Sequence, residues 1–190
     1  MGITVSREQT TLAKKRTADL PVEIFYQDYR QLTGDFDAIA SLGMFEHVGV
    51  KNYGTYFSVI KRCLRPGGLF LLQTVGKNAP SQMVEPWISK YIFPNSMLPS
   101  PRQISSAAEG RLVLEDWQNF GADYDPTLLA WHQNFVSRWE GLAAKYGARF
   151  YRMWRYFLLA SAAAFRSRVL QLWQIIFSGT GLVGGYHSIR

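Results

Sequence analysis

The chain has 190 residues, 47% of them apolar, and a net charge of +7, which fits one globular domain whose surface favours an anionic partner. Its single cysteine, Cys63, excludes an internal disulfide framework and a cysteine-based zinc site, and its best apolar run, residues 156–165, falls short of the ~20 residues of a bilayer span. The basic residues are dispersed, with short clusters at Lys14-Lys15-Arg16 and Lys61-Arg62 and no nucleic-acid motif beside them, so an anionic membrane surface answers the charge as well as nucleic acid does. The polar N-terminus carries no signal-peptide pattern, and aromatic residues at 15% point to a large aromatic core or an aromatic-lined pocket. The chain is expected to touch a membrane and not to cross one.

Residues 6–19 predict a polar helix with Ser6 as its N-cap and Gln9 closing a capping box. Pro21 ends it, and residues 22–29 predict a strand carrying Asp28 and Tyr29 at its carboxyl end. Residues 36–42 predict a second strand. Residues 52–64 predict a helix with Tyr53, Tyr56, Phe57, Ile60 and Leu64 on one face. Pro66-Gly67-Gly68 forces a turn, and the apolar run 69–75 suits a strand buried on both faces. Residues 77–109 hold five of the eight prolines with little periodicity and predict a long loop, of the kind that serves as a lid or binding loop. A strand over 111–120, a helical segment over 126–168 broken near Gly147, a last strand over 170–177 and a flexible tail over 179–190 complete the chain. Together these predict a single α/β domain, a doubly wound sheet with an antiparallel edge formed by the final strand.

In such sheets ligands sit beyond the carboxyl ends of the strands, where Asp28, Tyr29, Glu46, Gln73 and residues 120–124 converge. Glu46, after a buried strand, is placed to act as a base or to hold a cation, and the alternative is a capping acid. Tyr124 either presents its hydroxyl to that pocket or packs as a core tyrosine beside a capping Asp125. His47 reads as a hydrogen-bonded structural histidine, and no spacing among the three histidines suggests a metal site. Lys145, Arg149 and Arg152, at spacings of four and three, form either a lipid-facing basic stripe or a solvated helix face. The G-x-G-x-x-G match at 179–184 is a decoy, because only six residues follow it and the fingerprint needs a helix and a further strand.

The segments GMFEHVG (43–49), KNYGTYF (51–57), LRPGG (64–68), PWISKYIFPN (86–95), LPS (98–100), EDWQNFGADYD (115–125) and AFRSRVLQLWQIIFS (164–178) occur in an order that resembles the C-terminal half of the cyclopropane-fatty-acyl-phospholipid synthases, S-adenosylmethionine-dependent methyltransferases. The resemblance covers residues 1–178. It implies an incomplete class I, Rossmann-like methyltransferase fold that lacks its first strands, with a long helical segment before an antiparallel final strand. It also implies a reaction: the methyl of S-adenosylmethionine adds to a cis double bond of a phospholipid acyl chain, a proton is lost and a ring closes. A bound bicarbonate is implied as the base.

By the same resemblance Glu46 and Tyr124 hold that base. Gln73 stands where the family has histidine, and Ser161 where it has cysteine. Thr4, Ser6 and Gln9 lie where ribose is approached, and Asp28 and Tyr29 beside adenine. A cytoplasmic, peripherally membrane-bound protein is implied, and a homodimer in the longer form. The family's glycine-rich cofactor loop and first strand have no counterpart in these residues. The chain alone is therefore expected to bind S-adenosylmethionine too weakly for calorimetry, and residues 36–42 to form an open apolar edge that favours aggregation. Two further readings are a noncatalytic, lipid-binding remnant, and a fatty-acyl methyltransferase whose product is methyl-branched rather than cyclised.

Overall fold

The computed structural model describes residues 1–80 and 85–188; the parts of the predicted loop and tail that fall on 81–84 and 189–190 lie outside the described residues. Strand β1 (Gly2–Thr4), helix α1 (Arg7–Arg16) and strand β2 (Ile24–Tyr26) form a small parallel unit in which Gly2 pairs with Ile24 and Thr4 with Tyr26. Ser6 caps α1 as predicted, accepting from the Gln9 N–H at 3.2 Å. The predicted capping box is not formed. The Gln9 side chain accepts from the Thr4 hydroxyl at 2.6 Å, and the Ser6 N–H donates to that same Thr4 oxygen instead.

The main sheet contains β3 (Phe36–Leu42), β4 (Leu64–Lys77), β5 (Val113–Asn119) and β6 (Leu170–Ser178) in the order β3-β4-β6-β5. β3 runs parallel to β4, joined by helix α2 (Tyr53–Cys63), and β6 is antiparallel to both β4 and β5. The final strand is thus antiparallel but internal, not the edge that the chain order predicted. Burial explains the placement. β6 buries Trp173, Ile175 and Phe177 on one face and Leu172 on the other, whereas β5 carries Glu115, Asp116 and Gln118, which a border strand tolerates. β3 is the other border, with Leu42 62% exposed. The predicted turn at 66–68 appears as an irregularity: pairing with β3 jumps from Leu64 to Leu69, and Gly67 takes a φ of 75° that favours glycine.

One sheet face packs Phe70, Leu72, Ile175 and Phe177 against Tyr56, Phe57 and Ile60 of α2. The opposite face packs Leu172 and Val75 against the helical segment. Cys63 is fully buried beside Leu32 and Val59, a core residue as its position on α2 predicts.

The predicted loop over 77–109 instead holds helices α3 (Pro86–Tyr91) and α4 (Pro101–Ala108). Both start with proline, whose missing N–H is no loss in a first turn. Glu85 caps α3 by accepting from the Ile88 N–H at 2.6 Å, and Ser100 and Gln103 form the reciprocal capping box of α4. Ser100 is fully buried, so Ser100→Ala is expected to cost about 1–2 kcal/mol of stability, read by urea denaturation. A loss below a few tenths would mean that α4 does not depend on its cap.

Helix α5 (Gly121–Ser137) begins before the predicted helical segment and carries Pro126 inside it. Helix α6 (Trp139–Arg166) follows across Arg138, a break that the sequence did not announce. The predicted break at Gly147 is present, with φ 72° and ψ 165°. It separates Lys145 from Arg149 and Arg152, so the three do not share one continuous helix face. Asp125 does not cap a helix; its carboxylate pairs with the Arg166 guanidinium at 2.8 Å. The start of the tail is held rather than free. Glu115 accepts from the Ser178 hydroxyl and the Leu182 N–H, and Ser178 accepts from the Gly181 N–H. No helix opens after Gly184 among the described residues, as expected of a decoy motif.

Candidate active site

β3 ends at Leu42, and its last ladder bond runs from the Gly43 N–H to the Gln73 carbonyl. Beyond that point β4 continues alone on this side. Its next donor, the Val75 N–H, is taken by Glu46 Oε1 at 2.7 Å. A short 3-10 turn, Phe45–His47, carries Glu46 inward, and the Met97 N–H fixes the Glu46 carbonyl at 2.7 Å. The side chain is 7% exposed, and Oε2 has no hydrogen-bond partner among the described residues. Burial raises the Glu46 carboxyl above the usual carboxylate range. The Val75 and Glu46 N–H groups, the Thr74 hydroxyl and His47 offset part of the rise.

Three tyrosines feel the charge of this carboxylate. Burial, and secondarily the charge of Glu46, raises Tyr124, Tyr53 (to about 12) and Tyr56 above the ordinary phenol value, so all three hydroxyls stay protonated and can donate. The hydroxyls of Tyr53 and Tyr56, and Ser41 at the end of β3, are buried without a hydrogen-bond partner among the described residues. Ser41 moderates the rise at Tyr56 without reaching hydrogen-bond geometry. Tyr124 sits on α5 between Phe165 (ring centroids 4.9 Å) and Trp131 (5.7 Å), so it is packed among rings while its hydroxyl still feels the charge of Glu46. A buried acceptor and several buried hydroxyls that bond to no described residue are the chemistry of a site for a small polar or anionic group.

Gln73 shares its sheet face with Val75. Its amide oxygen accepts from Gln174 Nε2 of β6 at 2.8 Å, an arrangement set by the Gln73–Gln174 register. Ser161 is half-buried on α6 beside Ala162, with no side-chain hydrogen bond to a described residue. His47 is exposed and meets the Phe93 ring edge-on at 6.2 Å, not the hydrogen-bonded structural histidine expected.

The second group gathers at the carboxyl ends of β1 and β2. Thr4, Ser6 and Gln9 form a linked cluster, and the Gln27 N–H donates to the Thr4 carbonyl at 2.9 Å. Asp28 caps the turn Tyr29–Gln31 and pairs with Arg30 at 2.6 Å, which lowers its carboxyl. Tyr29 connects the two groups, its ring edge-on to Tyr56 at 5.5 Å, with Tyr56 in turn 5.0 Å from Phe45. Gln174 and the unpartnered Tyr53 and Tyr56 hydroxyls are the site features that sequence reasoning missed. The two tyrosines were read as an apolar helix face, and Gln174 is recognisable only as a polar residue inside an apolar strand.

A family model described as mycolic acid cyclopropane synthetase matches residues 1–175. The chain belongs to this family. A family relative, the cyclopropane-fatty-acyl-phospholipid synthase of Escherichia coli (strain K12), is 54% identical over all 190 residues, which are 50% of its own length. The tuberculostearic acid methyltransferase UfaA1 of Mycobacterium tuberculosis is 34% identical over 91% of this chain and 43% of its own. The chain thus spans about half the length of these relatives. The mycolic acid cyclopropane synthase CmaA1, solved with SAH and CTAB, superposes with a TM-score of 0.83 at 24% identity, over 93% of this chain and 68% of that one. The Rossmann-like methyltransferase fold implied by the resemblance is the fold observed.

Proposed function

We propose that the chain is the C-terminal part of an S-adenosylmethionine-dependent methyltransferase acting on lipid acyl chains, and that its product is a cyclopropane. The observation that carries this reading is the 54% identity to the Escherichia coli synthase over all 190 residues, together with the buried carboxylate of Glu46 at a strand end. Thr4, Ser6, Gln9, Asp28 and Tyr29 stand at the carboxyl ends of a parallel strand pair, where a nucleoside is held in such folds. The exposed Asp28–Arg30 pair is weak enough to open for a ligand. S-adenosylmethionine would supply the electrophilic methyl there. Glu46 Oε2 and the Tyr124 hydroxyl fit a bicarbonate, one an orphan acceptor and the other a donor, and the group would supply a base.

The chain's own residues then do three things. Glu46, anchored by Val75, orients what lies at the strand end. Tyr124 donates toward a negative charge. The rings of Tyr124 and the buried Phe165, packed edge-on, could offer aromatic surface to a transient cation. The new carbon would add to one alkene carbon and leave the other cationic; a proton of the added methyl would pass to the base, and the C–H electron pair left behind would close the ring.

Lipid analysis of cells expressing the gene tests this. Cyclopropyl chains are expected, and unmodified chains would overturn the reading. A methyl-branched product is favoured by one observation: Gln73, uncharged and already bonded to Gln174, offers no group that takes up a proton. Branched chains without rings would select that alternative.

A further inference from the structure

We propose that the face shared by α3 and the second half of α6 is the surface on which the chain lies against an anionic phospholipid bilayer. Past the break at Gly147, Arg149, Arg152 and Tyr156 recur at spacings of three and four, and all three are exposed. α3 lies along this row. The Trp87 ring stands edge-on to Tyr156 at 4.6 Å, and the Arg149 guanidinium and Lys90 amine sit over Tyr91 at 6.0 and 5.3 Å. Lys90, Arg149 and Arg152 are in no ion pair among the described residues, so their charge is open to an outside partner.

Charge alone would suit any polyanion. The aromatic rings decide the occupant. Tyr156 is 57% exposed and Phe93, at the end of α3, is 44% exposed; aromatic rings interleaved with cations suit the headgroup level of a bilayer. The same segment leads to the carboxylate site. Phe93 meets His47 edge-on, and the Glu46 carbonyl accepts from the Met97 N–H, so the segment that follows α3 packs against the turn that carries Glu46.

The proposal takes its partner from the lipid-methylation reading, but its test does not need turnover. Vesicles of saturated phosphatidylglycerol have no double bond to modify. The chain is expected to co-sediment with them, and K90Q/R149Q/R152Q to lose about a hundredfold in partitioning, at roughly fivefold per cation. Neutralising Lys14, Lys15 and Arg16 on α1, which packs on β1 and β2 and not on this face, is expected to change it less than tenfold, because the attraction falls off within a Debye length. Equal losses from both variants, or none from the first, overturn the proposal. So does displacement by inorganic phosphate beyond that by chloride at equal ionic strength, which would mark a single-phosphate site.

A short DNA duplex that binds as tightly as the vesicles, with Tyr156→Ser leaving vesicle binding intact, would mark a nucleic-acid face and also overturn it. If the triple variant changes only the sedimentation coefficient, the face joins two copies instead. A polarity-sensitive label at Arg152→Cys provides a readout in a folded protein, since Cys63 is fully buried and stays unlabelled. Its emission is expected to shift blue with vesicles while a label at Thr11→Cys stays unchanged, and the reverse pattern rejects the face.

Discussion

Glu46→Gln is expected to remove the lipid product and, at the same time, to stabilise the fold. Glutamine keeps an oxygen for the Val75 N–H but cannot carry charge, so the group that holds or supplies a base is lost. Loss of such a group lowers rates by about 10²–10⁴-fold. The stability gain has a separate cause. The carboxylate is a buried charge, with Oε2 bonded to no described residue, and the neutral amide avoids the desolvation penalty of that charge.

The pH dependence gives the sign. Burial raises the Glu46 carboxyl in the folded chain, so the folded state holds that proton more tightly than the unfolded state does. Stability from this group is therefore complete below the ordinary glutamate value of about 4.3 and is lost as pH rises through the raised folded value. The variant lacks this loss. The difference in thermal midpoint between variant and wild type should be small near about pH 4 and grow as pH rises through the raised folded value, at roughly 2–4 °C per kcal/mol. Circular dichroism melts across that range check it. A difference of constant size, or a variant less stable than wild type at about pH 8, would show that Glu46 is not held against its own desolvation.

The positions of the candidate residues at strand ends were legible in the sequence, because they follow strands whose patterns are local. Glu46 follows an apolar strand, and Tyr124 opens the helix after another. What was not legible depended on partners distant in sequence. Gln174 meets Gln73 only through the register of β4 against β6, 101 positions apart. The antiparallel strand was recognised, but its internal place follows from burial on both faces, which chain order does not encode. The two short helices were hidden by their prolines, which read as loop residues although they occupy first turns. Asp28 shows the opposite limit. Its cap and its pairing with Arg30 are local, so a structural role is already satisfied at a position that the resemblance assigns to adenine.

Gly76→Ala is expected to be among the most damaging small substitutions in this chain. A Cβ on Gly76 would lie 2.0 and 2.5 Å from two ring carbons of Trp173 and 2.8 Å from the Pro99 carbonyl oxygen. Neither neighbour can yield cheaply. Trp173 is 3% exposed and stands edge-on to Trp117, and the Pro99 oxygen accepts from the Lys77 N–H at 2.9 Å, which ties it to β4 itself. Overpacking of this kind costs about 1–3 kcal/mol and occasionally more, and here the upper end or beyond is expected, a fall in thermal midpoint of about 6–12 °C. A midpoint within about 2 °C of wild type would mean that the Trp173 wall is soft.

Trp173→Leu separates the clash from other effects. It leaves a cavity of its own, but combined with Gly76→Ala the added methyl enters that space, so the double variant should be about 1–3 kcal/mol more stable than the sum of the two losses predicts. Function need not return with stability. Gly76 adjoins Val75, whose N–H holds Glu46, so any shift of β4 that accommodates the methyl also moves the donor that anchors the carboxylate. A double variant that folds but yields no lipid product would locate the requirement at that one hydrogen bond, and recovery of both would show that β4 takes up the change on the side away from β3.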